Sequence, residues 1–427
     1  MTIYYGFMLF LVMEYVRPGS YLPALNVLRL NTIVPLSVIA GTFLSSKGAP
    51  GSELIRESNT KFILFFLTLI IFSVLTADVT LYAYNTFVTV FSYALVYWVI
   101  ARQIDDVRKM KGVFATLALI HVALAALTPE MFTDPDARHY LASGTFLGDG
   151  NDYALSVNIA IPFCAFLMFD ASTKRHKAFY GMMLLILVLC VVMTKSRGGT
   201  LALGAVGFYY WLKSSRKALT GTLAILTVAM VLAYAPHSYF ERMATISAQP
   251  QDGSAQGRLI AWGAGTRMAL DHPIFGVGAG HFPVKFGAEY KPKDMQMPWI
   301  TAHSIYFLIL GELGFPGIGA LLFFFVSNFI ANRRLHAELA KRASPEATRY
   351  AQLLASLSAS LLAYAVAGAF LSAAYYPHMF IVGGLLVSGR RAARAALQDR
   401  EQARPAAALE PTYHWAMKGI VPVPRRA

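Results

Sequence analysis

Apolar residues along this chain fall in long unbroken blocks, not in the alternating pattern of half-buried strands. Twelve such blocks can be marked, at roughly 2–16, 30–45, 62–77, 82–101, 113–128, 153–170, 178–194, 200–212, 218–235, 302–330, 352–371 and 375–389. Most approach the length of about 20 residues that a helix needs to cross ~30 Å of hydrocarbon. The ten-residue alternating segments of a membrane β-barrel are absent from the sequence. The pattern predicts an all-α, polytopic helical membrane protein of about 12 transmembrane helices with one large loop. Its expected organisation is spans 1–9 over 1–235, a loop over 236–301, spans 10–12 over 302–389 and a basic tail over 390–427.

Composition supports that class. Of the 427 residues, 56% are hydrophobic and only 14% charged, with a mean hydropathy of +0.50, which no soluble domain of this length matches. The net charge of +14 raises the possibility of a nucleic-acid partner, and its distribution decides against it. With the N-terminus placed inside, the inner segments hold 26 of the 37 Lys and Arg, and the outer segments hold eleven, six of them in 236–301. That is the positive-inside asymmetry of a membrane protein. It predicts cytoplasmic termini, contact with membrane lipids and no nucleic acid. Cys164 and Cys190 both lie within apolar blocks and read as packing residues. The opening "MTIYYGFMLFLVMEYVRPGS" lacks a basic stretch and a cleavage site, so it reads as a retained first span.

One outward tip breaks the charge rule. "TKSRGGT" at 194–200 places Lys195 and Arg197 between two apolar blocks on the side where basic residues are disfavoured. Such residues can snorkel to the headgroups without function. Here Gly198 and Gly199 follow, allowing close backbone approach, and a new helix begins with its N–H groups available. Arginine, glycine pair and helix N-terminus together suit phosphate.

The outer loop carries the next polar features. "SAQGRLIAWGAGTRMALDHP" (254–273) predicts an amphipathic helix with Arg258 and Trp262 on one face and Arg267 about half a turn round. "IFGVGAGHF" (274–282) superficially resembles a dinucleotide fingerprint, but the preceding strand and the later acidic residue are missing. It reads as a tight glycine turn packed on the membrane surface. "ITAHSIYFLILGELGFPGIG" (300–319) puts His303 in the first turn of the tenth span with Tyr306 one turn below. Glu312 is expensive in lipid and must face protein, as a structural partner for another helix. In "GTFLGDGNDYA" (144–154), Asp149, Asn151 and Asp152 suit either helix caps or a divalent cation, caps being favoured. No stronger metal motif is present.

Taken in order, Ser196-Arg197-Gly198, Arg258 to Trp262, Pro273 to Gly280 and Ala302-His303-Ser304-Ile305-Tyr306 resemble the O-antigen ligase and polymerase family. "ELGFPG" (312–317) and "GTFLGDGND" are similar to family features as well. The motifs cover about 144–317, and Ser304 departs from the Asn usual in the family. The resemblance implies a GT-C-like glycosyltransferase of the bacterial inner membrane with its site facing the periplasm. Its donor would be an undecaprenyl-pyrophosphate-linked glycan, and for the ligases its acceptor the lipid A–core oligosaccharide.

The chemistry agrees with the residues. A site outside the cytoplasm has no ATP, so its donor must arrive activated, and a pyrophosphate leaves as a stable anion. Fixed arginines stabilise that departing charge. Arg197 and Arg258, with Lys195, are the expected clamp, supported by Ser196, Gly198, Trp262 and Tyr306. His303 is the expected base, because an imidazole titrates near neutrality. Such a clamp needs no metal and no cofactor, and direct attack would invert the anomeric centre. A polymerase, a protein O-oligosaccharyltransferase and a lipid-linked glycan transporter are the alternatives. A transporter should show repeated halves, which the sequence lacks.

Overall fold

The computed structural model of the chain describes residues 2–133, 146–234, 253–293, 299–342 and 344–402. Each of the twelve predicted blocks falls on a helix, and one further helix lies in the outer loop. In chain order they are α1 (Thr2–Val16), α2 (Leu30–Leu44), α3 (Ser58–Thr76), α4 (Thr80–Gln103), α5 (Val107–Ala126), α6 (Gly150–Asp170) and α7 (Lys174–Met193). There follow α8 (Arg197–Lys213), α9 (Lys217–Tyr234), the loop helix α10 (Gly253–Asp271), α11 (Ile305–Ala340), α12 (Pro345–Gly368) and α13 (Pro377–Gln402). No strand occurs among the described residues. Among the described residues eight segments are long and apolar enough to cross a membrane, from Pro23–Leu44 to Pro345–Gly368; α1, α8, α9 and α13 fall outside that group. The protein is a polytopic helical membrane protein.

Helix α6 is its centre. Residues Tyr153 to Leu167 are buried without a break, so this helix is apolar on every face and touches protein all round. It packs on α5, α7, α8 and α12, while α13 lies against α4 and α12. By contrast, Leu36, Phe43 and Leu44 of α2 are exposed, as a lipid-facing helix requires.

Polar residues fasten the two ends of the bundle. At one end Asp170 closes α6 against the starts of α5 and α12 through Lys111 (2.8 Å) and Arg349 (2.7 Å). Nearby, α13 runs past position 390 to Gln402. Arg390 is only 2% exposed and donates to Asn328 Oδ1 at 2.7 Å. Arg391 donates to the Ala101 carbonyl, and Arg394 pairs with Glu57 at 3.3 Å. The first residues assigned to the tail are therefore part of the packed bundle; 403–427 and the loop residues 235–252 lie outside the described residues.

The opposite end gathers the starts of α6, α8, α11 and α13. Here Glu312 has the structural role expected of it, and its chief partner is the glycine turn. Its Oε2 accepts from the Gly280 N–H (2.8 Å) and the Tyr375 hydroxyl (2.7 Å), and its Oε1 accepts from the Phe282 N–H (2.9 Å). The backbone of the turn continues this seam, with Val277 N–H on Gly311 O and Phe315 N–H on Pro273 O, both at 2.9 Å. Two glycines make the approach possible. Gly276 (φ +63°) and Gly314 (φ +65°) sit in left-handed backbone, and a Cβ would meet Glu312 C at 2.3 Å and Pro273 O at 2.5 Å respectively. Thus the turn packs into a break in α11, not only against a membrane surface, and Ala279 N–H also reaches Ser73 on α3.

All three groups on the Glu312 carboxylate are donors, so an amide cannot replace it. Glu312→Gln leaves one backbone N–H facing an NH₂ group, at a cost of about 1–3 kcal/mol. The melting temperature of the purified protein in detergent should fall; an unchanged value would contradict this role.

A basic cleft at one end of the bundle

The hairpin tip of α7 and α8 is a three-residue reversal, Thr194-Lys195-Ser196. Lys195 takes left-handed backbone (φ +53°), uncommon for a side chain of its size, and its N–H caps Val192 O at 2.9 Å. Ser196 then caps α8, its hydroxyl accepting from Gly199 N–H at 3.1 Å. This fixes Arg197 as the first residue of the helix. From the side, Asn158 of the central helix donates to Gly199 O at 3.0 Å and anchors the same turn to α6.

The glycine pair is explained by packing. A Cβ at Gly198 would meet Phe370 Cβ at 2.9 Å, and one at Gly199 would meet Ala154 Cβ at 2.7 Å. The pair lets α8 start in close contact with α6 and with the segment that follows α12. In so doing it brings the α8 N-terminus to the wall of a cleft.

That cleft is lined by Asn151, Lys195, Ser196, Arg197, Gly198, Gly199, Arg258, Ala367, Phe370 and Leu371. Its interior of about 60 Å³ has room for several water-sized groups. Lys195 is buried and Arg197 and Arg258 are half-buried, and no carboxylate stands among these lining residues. Three cations and the positive end of a 17-residue helix converge on one small polar space. Residues 61 positions apart in sequence, Arg197 and Arg258, thus meet at one site.

Of the other predicted residues, Trp262 and His303 are bonded to segments joined to the cleft wall. Helix α10 packs on α11 through small residues, with Gly265 so close that a Cβ would lie 2.9 Å from Phe307 O. On the same helix Trp262 stacks on Phe307 (centroids 5.1 Å, planes 10° apart) and donates its indole N–H to Ala302 O at 2.9 Å. Trp262 therefore joins the helix of Arg258 to the residue preceding His303. His303 is exposed and in left-handed backbone (φ +48°), with its N–H on Ser372 Oγ at 2.8 Å. It does not line the cleft, but Ser372 follows directly after Phe370 and Leu371, which do. Tyr306 points elsewhere, donating to Ala365 O at 2.9 Å as a tie to α12. Arg267 is exposed and donates to Tyr290 O.

Sequence reading gave Asp149 and Asn151 to a cap or a cation. Asp149 is the cap of α6, accepting from the Asn151 N–H at 2.8 Å, and Asn151 also lines the cleft. Among the described residues no three His, Cys, Asp or Glu side chains cluster as a metal site. The sequence also gave no hint of a buried polar cluster behind the cleft. There His121 meets Ser156 Oγ at 2.6 Å, and Tyr15 packs edge-on against both His121 and His378. Lone histidines at distant positions carry no spacing signal.

An all-helical membrane bundle with a cationic cleft at one end defines the class. Within it, residues 182–322 match the model of the family described as O-Antigen ligase, so that stretch is similar to the O-antigen ligase family. That family is one of glycosyltransferase-like ligases whose substrates are glycans and lipid-linked molecules. A search of curated proteins finds no match to the chain.

The Trp262 bond and its stacking can be separated. Trp262→Phe keeps a ring on Phe307 and loses the hydrogen bond, for about 1 kcal/mol. Trp262→Ala loses both, for about 3–5 kcal/mol. Melting curves of the two variants should differ clearly, and equal losses would show that the stacking contributes nothing.

Proposed function

We propose that this protein transfers a glycan from a polyprenyl-pyrophosphate carrier, undecaprenyl pyrophosphate in a bacterial inner membrane, to an acceptor hydroxyl at the periplasmic face. The acceptor is lipid A–core oligosaccharide, as in O-antigen ligation. The observation that carries this reading is the convergence of Lys195, Arg197 and Arg258 on the α8 N-terminus. The positive-inside count supports a periplasmic position for that end and cytoplasmic termini.

In this mechanism the cleft takes the diphosphate and leaves the sugar outside. As the anomeric C–O bond breaks, negative charge grows on the diphosphate oxygens. The guanidinium forks of Arg197 and Arg258 and the helix N-terminus stabilise that charge more than they stabilise the bound donor, which lowers the barrier. Lys195 adds a compact third charge. His303, exposed at the rim, accepts the proton of the attacking hydroxyl as the new glycosidic bond forms, and one displacement inverts the anomeric configuration. No resident cofactor or metal takes part.

Donor binding and single-turnover transfer, both measured in EDTA on the purified protein, test these roles. Arg197→Lys and Arg258→Lys keep the charge and lose the planar fork, so binding and transfer should fall together. His303→Ala should keep donor binding and lose about 10²–10⁴-fold in turnover. Near-normal transfer by His303→Ala would remove the base from His303. Loss of wild-type transfer in EDTA, restored by Mg²⁺, would remove the metal-independent clamp.

A further inference from the structure

We infer that Ser372 is the positioning residue for His303, setting where the imidazole stands relative to the basic cleft. The inference rests on the glycosyl-transfer reading above.

The backbone of His303 is the starting point. A non-glycine residue at φ +48° occupies a sparsely populated conformation, and such a residue persists only where its surroundings hold it. Two hydrogen bonds hold this one, on either side of the same peptide. Ser372 Oγ accepts from the His303 N–H at 2.8 Å, and Ala302 O accepts from the Trp262 indole at 2.9 Å. Ser372 is itself fixed by Thr301, whose hydroxyl lies 2.7 Å from its own. The serine hydroxyl thus bridges two residues of the strained segment, Thr301 and His303.

What makes this more than a loop contact is where Ser372 stands. It is the next residue after Leu371, and Phe370 and Leu371 form one wall of the cleft, against which Gly198 packs. One short segment therefore shapes the anion site and carries the histidine. If the diphosphate sits in the cleft, the distance from the anomeric carbon to the imidazole is set through Ser372. A small displacement of a proton-accepting group is enough to cost about a hundredfold in rate. No feature of the sequence marked this serine, because 69 residues separate it from His303.

Ser372→Ala and Ser372→Cys both remove a good acceptor, the cysteine while keeping the side chain's shape, and Ser372→Thr retains the hydroxyl. The variants are compared with wild type and with His303→Ala for melting temperature, donor binding and kcat. Loss of the hydroxyl should lower kcat about 10- to 100-fold and leave donor binding and KM for the donor within about twofold, with Thr restoring most of the rate. The deciding measurement is the double variant Ser372→Ala/His303→Ala. A residue that acts through His303 adds no further loss once the imidazole is gone. A normal kcat in both the Ala and Cys variants, or an equal extra loss in the His303→Ala background, overturns the inference. Should Ser372→Ala fail to fold, the Cys and Thr variants give the same comparison. Absence of transfer by the wild type would instead refute the glycosyl-transfer reading, a different and recognisable failure.

Discussion

Cations of like sign repel, and near a membrane each is costly to hold away from water. Three of them share one small cleft here, so the rest of this end of the bundle has to hold them there. Local backbone geometry supplies part of the means. Lys195 is fixed by a left-handed turn, Arg197 by the serine cap and by Asn158, and Arg258 by a helix clamped through small residues onto α11. None of these fastenings places a carboxylate in the lining of the cleft.

Among the described residues the one buried carboxylate of this region is turned to a different task. Glu312 is bound by two main-chain N–H groups and a tyrosine, and it locks the glycine turn into the break at Gly314. That lock ties the turn after α10 to α11. Arg258 lies on α10 and His303 just before α11, so the lock helps to set their separation. The cleft also draws on residues well outside the stretch that matches the O-antigen ligase family. Asn151 comes from the central helix, and Ala367, Phe370 and Leu371 come from the end of α12 and the segment after it.

Much of this was legible in the sequence because the features are local. Apolar blocks marked every long helix except α10, which the stretch 254–273 marked, and "TKSRGG" marked the tip with its cap. Arg258 and Trp262, four apart, gave a shared helix face, and the cost of a charge in lipid gave Glu312 a protein partner. What could not be read was contact between distant segments. Gly198 and Gly199 were read as room for a ligand, and their closest neighbours are Phe370 and Ala154. Arg390 falls in a stretch that reads as a surface tail, and its partners Asn328 and Asn332 lie on another helix. Ser372 carries no motif at all. Membrane insertion fixes which residues are apolar, but not which helix each one meets.

The central claim is that the cleft grips a diphosphate between the two arginines. A cryo-EM structure of the protein bound to undecaprenyl pyrophosphate tests it most directly. The account predicts density for both phosphates in the cleft, with Arg197 and Arg258 each within hydrogen-bond reach of a phosphate oxygen, the N-terminus of α8 pointing at one of them, and the lipid leaving sideways into the membrane. Phosphate density at any other place on the protein, with the cleft holding only solvent, would contradict it.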